Sequence, residues 1–181
     1  MLALGGNLTS QAGDPAVTLK SALSTLSGVN LTVLKVSRFF QTPCFPAGTG
    51  PDFVNAAALV ESDLSAPEVL ARLHAVEAQF GRVRQTRWAG RTLDIDLIGG
   101  GDMILPDRAT YEAWRDLPLE DQMKQAPEQL ILPHPRLQDR AFVLVPLNDV
   151  APGWIHPVLG LSVAEMLAKL PETDREAVVP L

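Results

Sequence analysis

The chain has 181 residues, 46% of them hydrophobic, which is enough apolar material for one domain with a buried core. Its 15 basic and 21 acidic residues give a net charge of −6, which argues against binding nucleic acid or an anionic membrane through bulk charge. Cys44 is the only cysteine, so an intrachain disulfide is excluded and no structural zinc site is indicated.

The N-terminal segment predicts a strand followed by a helix. Residues 2–5 form a short apolar run that ends in glycines, which is typical of a buried strand. Asp14 and Pro15 then supply an N-cap and a first-turn proline, and apolar residues at helical spacing extend the helix to Leu26. Gly28 stands where a glycine commonly ends a helix.

The next segment predicts two strands separated by a loop. Residues 31–40 and 53–61 are rich in branched and aromatic side chains, which favour strands. Between them, residues 41–52 contain several prolines and glycines that can continue neither strand. We therefore expect a mobile loop there.

A second helix and a fourth strand complete the predicted core. Ser65 and Glu68 match a capping box that opens a helix, and Gly81 ends it. After a basic segment, residues 92–98 predict another strand. The order strand, helix, strand, strand, helix, strand is that of a ferredoxin-like α+β fold, with an antiparallel sheet and helices packed on it.

The remainder predicts an insertion and extra C-terminal helices within one domain of residues 1–181. Residues 99–133 have few strand signals and include a helix-prone stretch at 109–125, so we expect an insertion over the sheet edge. Ser162 and Glu165 form a second capping box, which predicts a short final helix.

The sharpest chemical signal lies in the fourth strand. Alternation along a strand sends Asp94 and Asp96 to one face, and Leu93, Ile95 and Leu97 to the other. Two like charges on one face are costly unless a cation lies between them, and Mg²⁺ with nucleotide phosphates suits such a pair. The alternative is an ordinary half-exposed strand whose aspartates face solvent.

The residues before this strand supply positive charge. Between residues 72 and 91 the chain has five arginines against the single acid Glu77, inside an acidic protein. Guanidinium groups bind phosphate through paired hydrogen bonds, so a carboxylate pair beside an arginine-rich loop with Trp88 indicates phosphoryl or pyrophosphoryl transfer. A basic run taken alone is usually a solvated face. No P-loop pattern is present.

These motifs together resemble one enzyme family. Residues 81–96, GRVRQTRWAGRTLDID, and 132–147, LPHPRLQDRAFVLVPL, are similar to the two signatures of 6-hydroxymethyl-7,8-dihydropterin pyrophosphokinases. Residues 4–8, 41–43 and 51–57 match further motifs in family order. The resemblance implies transfer of pyrophosphate from ATP to the pterin hydroxymethyl group in folate biosynthesis, with release of AMP.

The resemblance also implies the residues of the site. For catalysis it implies Arg82, Arg91, Asp94 and Asp96, and the two aspartates would hold two Mg²⁺ ions at the ATP phosphates. For the nucleotide it implies His74, Glu77, Arg84, Trp88, Leu97, His134 and Arg140. For the pterin it implies Thr42, Pro43, Phe53, Asn55 and Phe142, with the two phenylalanines sandwiching the ring.

Several of these residues have ordinary structural interpretations. A phenylalanine such as Phe53 or Phe142 is usually core, and Asn55 or His134 alone would be a loop or buried hydrogen-bonding residue. The family commonly has proline where Gly90 stands, in a loop one residue longer. We therefore expect Gly90 to act as a hinge when the arginine loop closes.

Two other functions remain open from the residues. A nucleotidyltransferase also combines a glycine motif with paired aspartates, although here Gly5 and Asp94 are far apart in the chain. A ferredoxin-like RNA-binding module would stack bases on strand aromatics in a basic setting, which the acidic balance opposes. Neither a signal peptide nor an apolar run of about 18 residues is found, so we expect a cytoplasmic monomer that binds small molecules, without nucleic acid or membrane.

Overall fold

The computed structural model describes residues 1–28, 30–44, 48, 50–82, 90–118, 120–121 and 125–181. The strands are β1 Leu2–Gly6, β2 Leu31–Val36, β3 Phe40–Thr42, β4 Phe53–Ser62, β5 Asp94–Leu97 and β6 Val179–Pro180. The helices are α1 Pro15–Leu26, α2 Ala66–Gln79, α3 Arg108–Arg115, α4 Ala141–Val150, α5 Val163–Lys169 and α6 Glu172–Glu176, with a 3₁₀ turn at Leu137–Asp139.

One antiparallel sheet organises the described part of the chain. Its order is β5-β1-β4-β3-β6, and β2 pairs with the second half of β4 while β3 pairs with the first half. Helices α1 and α2 pack on one face, and α4 and α5 pack on the other. The predicted ferredoxin-like α+β fold is confirmed, with β6 added beyond β3.

The helix-start predictions are confirmed in atomic detail. The Asp14 carboxylate accepts the amide of Val17 at 2.9 Å, and Ser65 with Glu68 forms both hydrogen bonds of a capping box. Gly81 has φ 78°, the left-handed conformation expected of a glycine that ends a helix. The helix α1 ends at Leu26 with Ser27 as its C-cap, so Gly28 takes the predicted position just after the cap. Its φ is not left-handed, and it forms an isolated bridge with Leu31.

The strand predicted at residues 31–40 is divided in two. The hydroxyl of Ser37 accepts the amide of Ala57 at 2.8 Å, while the Ser37 amide donates to the Ala57 carbonyl at 2.9 Å. The side chain thus replaces one rung of the ladder, and β2 ends before β3 begins. Because β3 extends to Thr42, the predicted loop is shorter than expected and starts at Pro43. Its mobility stays a prediction, since residues 45–47 and 49 lie outside the described part.

The alternation of β5 is as predicted. Leu93 and Ile95 are 0% and 2% exposed and join the core cluster beneath α1 and α2. Asp94 and Asp96 therefore project from the opposite face, where α4 packs. On the neighbouring β1 this face carries only small side chains, since Asp96 pairs with Ala3 and Asp94 with Gly5.

The predicted insertion is attached to the segment that follows α4. Within its helix-prone stretch lies α3, whose Tyr111 is fully buried and lies with its hydroxyl 2.9 Å from Nε2 of His156. Nδ1 of His156 accepts the amides of Val158 and Leu159, so Nε2 carries the proton. Burial lowers the pKa of His156 to about 4 and raises that of Tyr111 to about 12. His156, which has no motif around it, is a structural residue.

Candidate active site

Asp94 lies at the centre of a group of charged side chains. One carboxylate oxygen accepts from the guanidinium of Arg82, and the other accepts from that of Arg91. Arg82 follows the C-terminal end of α2, whereas Arg91 lies three residues before Asp94, ahead of β5. The structure thus brings three of the four predicted catalytic residues into direct contact.

Glu77 supports this group from below. It is 1% exposed, and its Oε1 accepts both the amide of Ile95 at 2.7 Å and the guanidinium of Arg82. The carboxylate therefore holds Arg82 in place and satisfies an outward amide of the edge strand β5. Contact between Glu77 and a nucleotide stays a prediction.

The glycine motif at the end of β1 holds Arg91 by its backbone. The amides of Asn7 and Leu8 donate to the Arg91 carbonyl at 2.9 and 3.1 Å, and the Arg91 amide donates to the Asn7 side chain at 2.8 Å. A Cβ on Gly6 would lie 2.6 Å from the Thr92 carbonyl oxygen, so only glycine permits this approach. Asn7 received no role from the sequence, although it lies in the quoted motif at residues 4–8.

Gly90 also allows a close approach. A Cβ there would lie 2.9 Å from Cγ and Cδ1 of Leu8, and its φ is outside the left-handed region. The present backbone conformation is therefore open to other residues, and contact with Leu8 is what favours glycine. The hinge role of Gly90 stays a prediction.

His134 and Arg140 lie near Asp96. The His134 amide donates to the Ile98 carbonyl at 2.8 Å, which fixes the histidine at the end of β5. Its Nδ1 accepts the amide of Arg136 at 3.1 Å, so the proton is on Nε2. Burial lowers the pKa of His134 to about 4 although Asp96 opposes the shift, and burial lowers the pKa of Arg140 as well. His134 is therefore neutral at pH 7 and can donate one hydrogen bond.

The predicted pterin residues lie on β3, β4 and the start of α4. Asn55 is 6% exposed and its amide donates to the hydroxyl of buried Thr42 at 2.7 Å. Phe53 is half-buried and pairs with Thr42 across the two strands. Phe142 is 42% exposed in the first turn of α4, which opposes its interpretation as a core residue.

Gly5 stands between the two groups of residues. In the register of the sheet it pairs with Asn55 on one side and with Asp94 on the other. Neighbouring strands lie about 4.8 Å apart, so the two flanking residues are roughly 10 Å apart across Gly5. A Cβ on Gly5 would meet Oδ1 of Asn55 at 2.9 Å. The absence of a side chain on Gly5 therefore lets the Asn55 side chain lie over β1.

The other predicted residues are more scattered. His74 is exposed on α2, Leu97 packs partly into the core, and Pro43 is exposed beside the buried Cys44. Their roles stay predictions. Two predicted nucleotide residues, Arg84 and Trp88, lie outside the described part of the chain.

The carboxylate pair fits Mg²⁺ only together with outside ligands. Among the described residues there is no group of three or more His, Cys, Asp or Glu side chains that could hold a metal ion. Asp94 and Asp96 offer hard oxygen atoms, and two guanidinium groups already accumulate on Asp94, so the site attracts positive charge. Mg²⁺ commonly takes one or two protein carboxylates and fills its octahedron with phosphate and water.

Comparison with known proteins gives one consistent family. The family model for 7,8-dihydro-6-hydroxymethylpterin-pyrophosphokinase (HPPK) matches residues 1–152. A 2-amino-4-hydroxy-6-hydroxymethyldihydropteridine pyrophosphokinase of Synechocystis is 34% identical over 182 residues, covering 100% of this chain and 79% of that protein. The enzyme of the same description from Methylorubrum extorquens is 33% identical, covering 98% of this chain and 96% of its own.

Solved structures agree in fold. The crystal structure of Plasmodium falciparum HPPK-DHPS with pteroate superposes with a TM-score of 0.65 at 14% identity. The match covers 93% of this chain and 43% of that longer chain, so the present chain spans less than half of it. In the described residues, no helix has the length and apolar character that a membrane crossing requires.

Proposed function

We propose that the two substrates of this chain meet at Gly5. The chain belongs to the HPPK family and transfers a pyrophosphoryl group from ATP to hydroxymethyldihydropterin in folate synthesis, so these two molecules are its substrates. The family membership excludes the nucleotidyltransferase and RNA-binding alternatives. The observation that carries the proposal is the row Asn55, Gly5, Asp94 across three neighbouring strands. The proposal assigns the pterin to the Asn55 end of this row and the triphosphate to the Asp94 end.

On the nucleotide side, Asp94 and Asp96 would hold two Mg²⁺ ions. When bound, these ions neutralise the charge of the phosphates. With cations on Asp94, Arg82 and Arg91 would exchange their bonds to that carboxylate for bonds to the phosphates, which guanidinium groups bind in paired fashion. Glu77 would keep Arg82 within reach during this exchange.

His134 and Arg140 would complete the nucleotide side. His134 would donate through Nε2 to a phosphate oxygen, since its Nδ1 already accepts the Arg136 amide. Arg140 stands at the start of α4, near Asp96, where it would add positive charge to a phosphate. We propose that His74, Leu97, Arg84 and Trp88 contribute to the nucleotide site as the family resemblance implies.

On the pterin side, Phe53 and Phe142 would stack on the two faces of the ring. Asn55 would bond the polar edge of the ring, and its bond to Thr42 fixes the orientation of the amide. Pro43 would border the pocket. The exposure of Phe142 supports this assignment, because an exposed aromatic residue at the start of a helix has surface available for a ligand.

The transfer step follows from this arrangement. The pterin hydroxymethyl oxygen attacks the β-phosphorus in line, the bond from that phosphorus to the α-bridging oxygen breaks, and AMP leaves with that oxygen. The hydroxyl proton passes to solvent or phosphate. Arg82 and Arg91 would stabilise the charge on the transferred group. No side-chain nucleophile takes part. We propose that the enzyme works as a monomer, since the whole row Asn55, Gly5, Asp94 lies in one chain. We also propose that it works in the cytoplasm, as the sequence indicates.

The test separates the two sides of the row. Activity is measured as AMP released from ATP and Mg²⁺, with and without the reduced pterin. Asn55→Ala should raise the KM for the pterin at least tenfold and leave the KM for ATP within about twofold, because one buried hydrogen-bonding group is worth about 1–3 kcal/mol. Asn148→Ala, in α4 outside the row, is the matched control. Equal effects of Asn55→Ala on both substrates would contradict the proposal.

A further inference from the structure

Asn7 connects the segment before β4, at Pro51, with the segment before β5, at Arg91. These two strands are not neighbours in the sheet. Asn7 is only 6% exposed, and its side-chain amide nitrogen donates to the Pro51 carbonyl at 3.1 Å. Its side-chain oxygen accepts the Arg91 amide at 2.8 Å. One side chain thus holds backbone atoms that are 40 positions apart in the sequence, from opposite ends of its own amide group.

Under the proposed function, the segment at Pro51 lies on the pterin side of the site and the segment at Arg91 lies on the nucleotide side. Pro51 is two residues before Phe53, at the start of the strand that carries Asn55. Arg91 contacts Asp94 and stands on the phosphate side. Asn7 therefore lies between the pterin side and the nucleotide side, just beyond Gly5 at the end of β1.

The link is short and rigid. The Asn7 amide donates to the Arg91 carbonyl at 2.9 Å, so backbone and side chain grip Arg91 from both directions. Among side chains of this length, only asparagine offers a donor and an acceptor on one planar group. Aspartate would keep the bond to Arg91 and lose the bond to Pro51.

We propose that Asn7 is a positioning residue that couples pterin binding to nucleotide binding. A ligand that orders the Pro51 segment also fixes Arg91, because both are bonded to the same amide group, and a second ligand then pays less ordering cost. Coupling of this kind is reciprocal. The inference rests on the proposed assignment of the two sides and adds the element that connects them.

The experiment measures both affinities by calorimetry on the whole chain. The ligands are 6-hydroxymethyl-7,8-dihydropterin and Mg²⁺ with α,β-methylene-ATP, in which the bond that must break is replaced. The coupling factor is the Kd of the pterin alone divided by its Kd with the analogue present. We expect at least about fivefold coupling in the wild type, falling to within twofold of unity in Asn7→Ala and Asn7→Asp.

A matched control is Gln41→Ala. Gln41 donates to the Asp52 carboxylate at 2.8 Å, so it also holds this segment but does not reach Arg91. It should keep the coupling factor of the wild type. A purely structural role for Asn7 would weaken each ligand alone and leave the factor unchanged, which would overturn the inference; if Asn7→Ala does not fold, Asn7→Asp decides alone.

The wild-type measurement separates the two proposals. Tight but independent binding of both ligands overturns the coupling by Asn7 and leaves the proposed site standing. Failure of the pterin to bind even with the analogue present overturns the site assignment and the inference with it.

Discussion

Replacing Asp94 and Asp96 by asparagine should have unequal effects on stability. Repulsion on the strand face alone predicts that neither Asp94→Asn nor Asp96→Asn destabilises the fold. Asp94, however, is bonded to both Arg82 and Arg91, and the three side chains are only 17%, 14% and 34% exposed. Such ion pairs fall between exposed pairs, worth about 0–1 kcal/mol, and buried pairs, whose breaking costs about 3–5 kcal/mol.

About 1 kcal/mol for each pair gives a loss of about 2 kcal/mol for Asp94→Asn, or about 4–8 °C in Tm for a chain of this size. Asp96→Asn should cost less than about 1 kcal/mol. Both variants should lower kcat at least about 100-fold, because each removes an anionic ligand from the charge-stabilising site. Thermal melts with EDTA and without ATP, together with AMP-release kinetics, test this. Equal Tm losses, or near-normal kcat at limiting Mg²⁺, would refute the reasoning.

Three further perturbations can be tested. Phe142→Ala should weaken pterin binding at least about tenfold and ATP binding far less, with little change in Tm, whereas equal losses would indicate a structural role. Gly90→Val should lower both Tm and kcat, since the new side chain displaces Leu8; an unchanged kcat would exclude a role in closure, and Gly90→Pro is its comparison. His156 binds a proton more weakly when folded, so stability is full above about pH 6.5 and falls by about 3 kcal/mol towards pH 4; His156→Gln should flatten this slope in urea melts.

The core of the fold could be predicted because its signals are local. The N-cap at Asp14, the capping box at Ser65 and the alternation around Ile95 each depend on a few neighbouring residues. The break between β2 and β3 could not be predicted, because it depends on a hydrogen bond from Ala57 to the hydroxyl of Ser37, twenty positions away. An isolated serine in a strand-like run carries no sign of such a partner.

The site divides in the same way. The contact of Arg82 and Arg91 with Asp94 agrees with the charge pattern of the sequence. The buried support by Glu77 and the bridge by Asn7 depend on the positions of the sheet and of α2, so residue type and spacing do not reveal them. The sequence favours a hinge at Gly90 because of its backbone freedom, whereas the structure gives a packing reason for glycine, the contact with Leu8.

The position of each strand in the sheet has a consequence for hydrogen exchange. The β4 strand, which carries Asn55, is hydrogen-bonded on both sides, so its amide protons should exchange only through global unfolding. The β5 strand lies at the sheet edge, and the amide of Ile95 is protected by a carboxylate, that of Glu77. Brief local opening of β5 can therefore let the amides next to Asp94 exchange with deuterium, while the amides of β4 near Asn55 stay protected. The slow and fast exchanging halves of the site would be separated by the width of one strand.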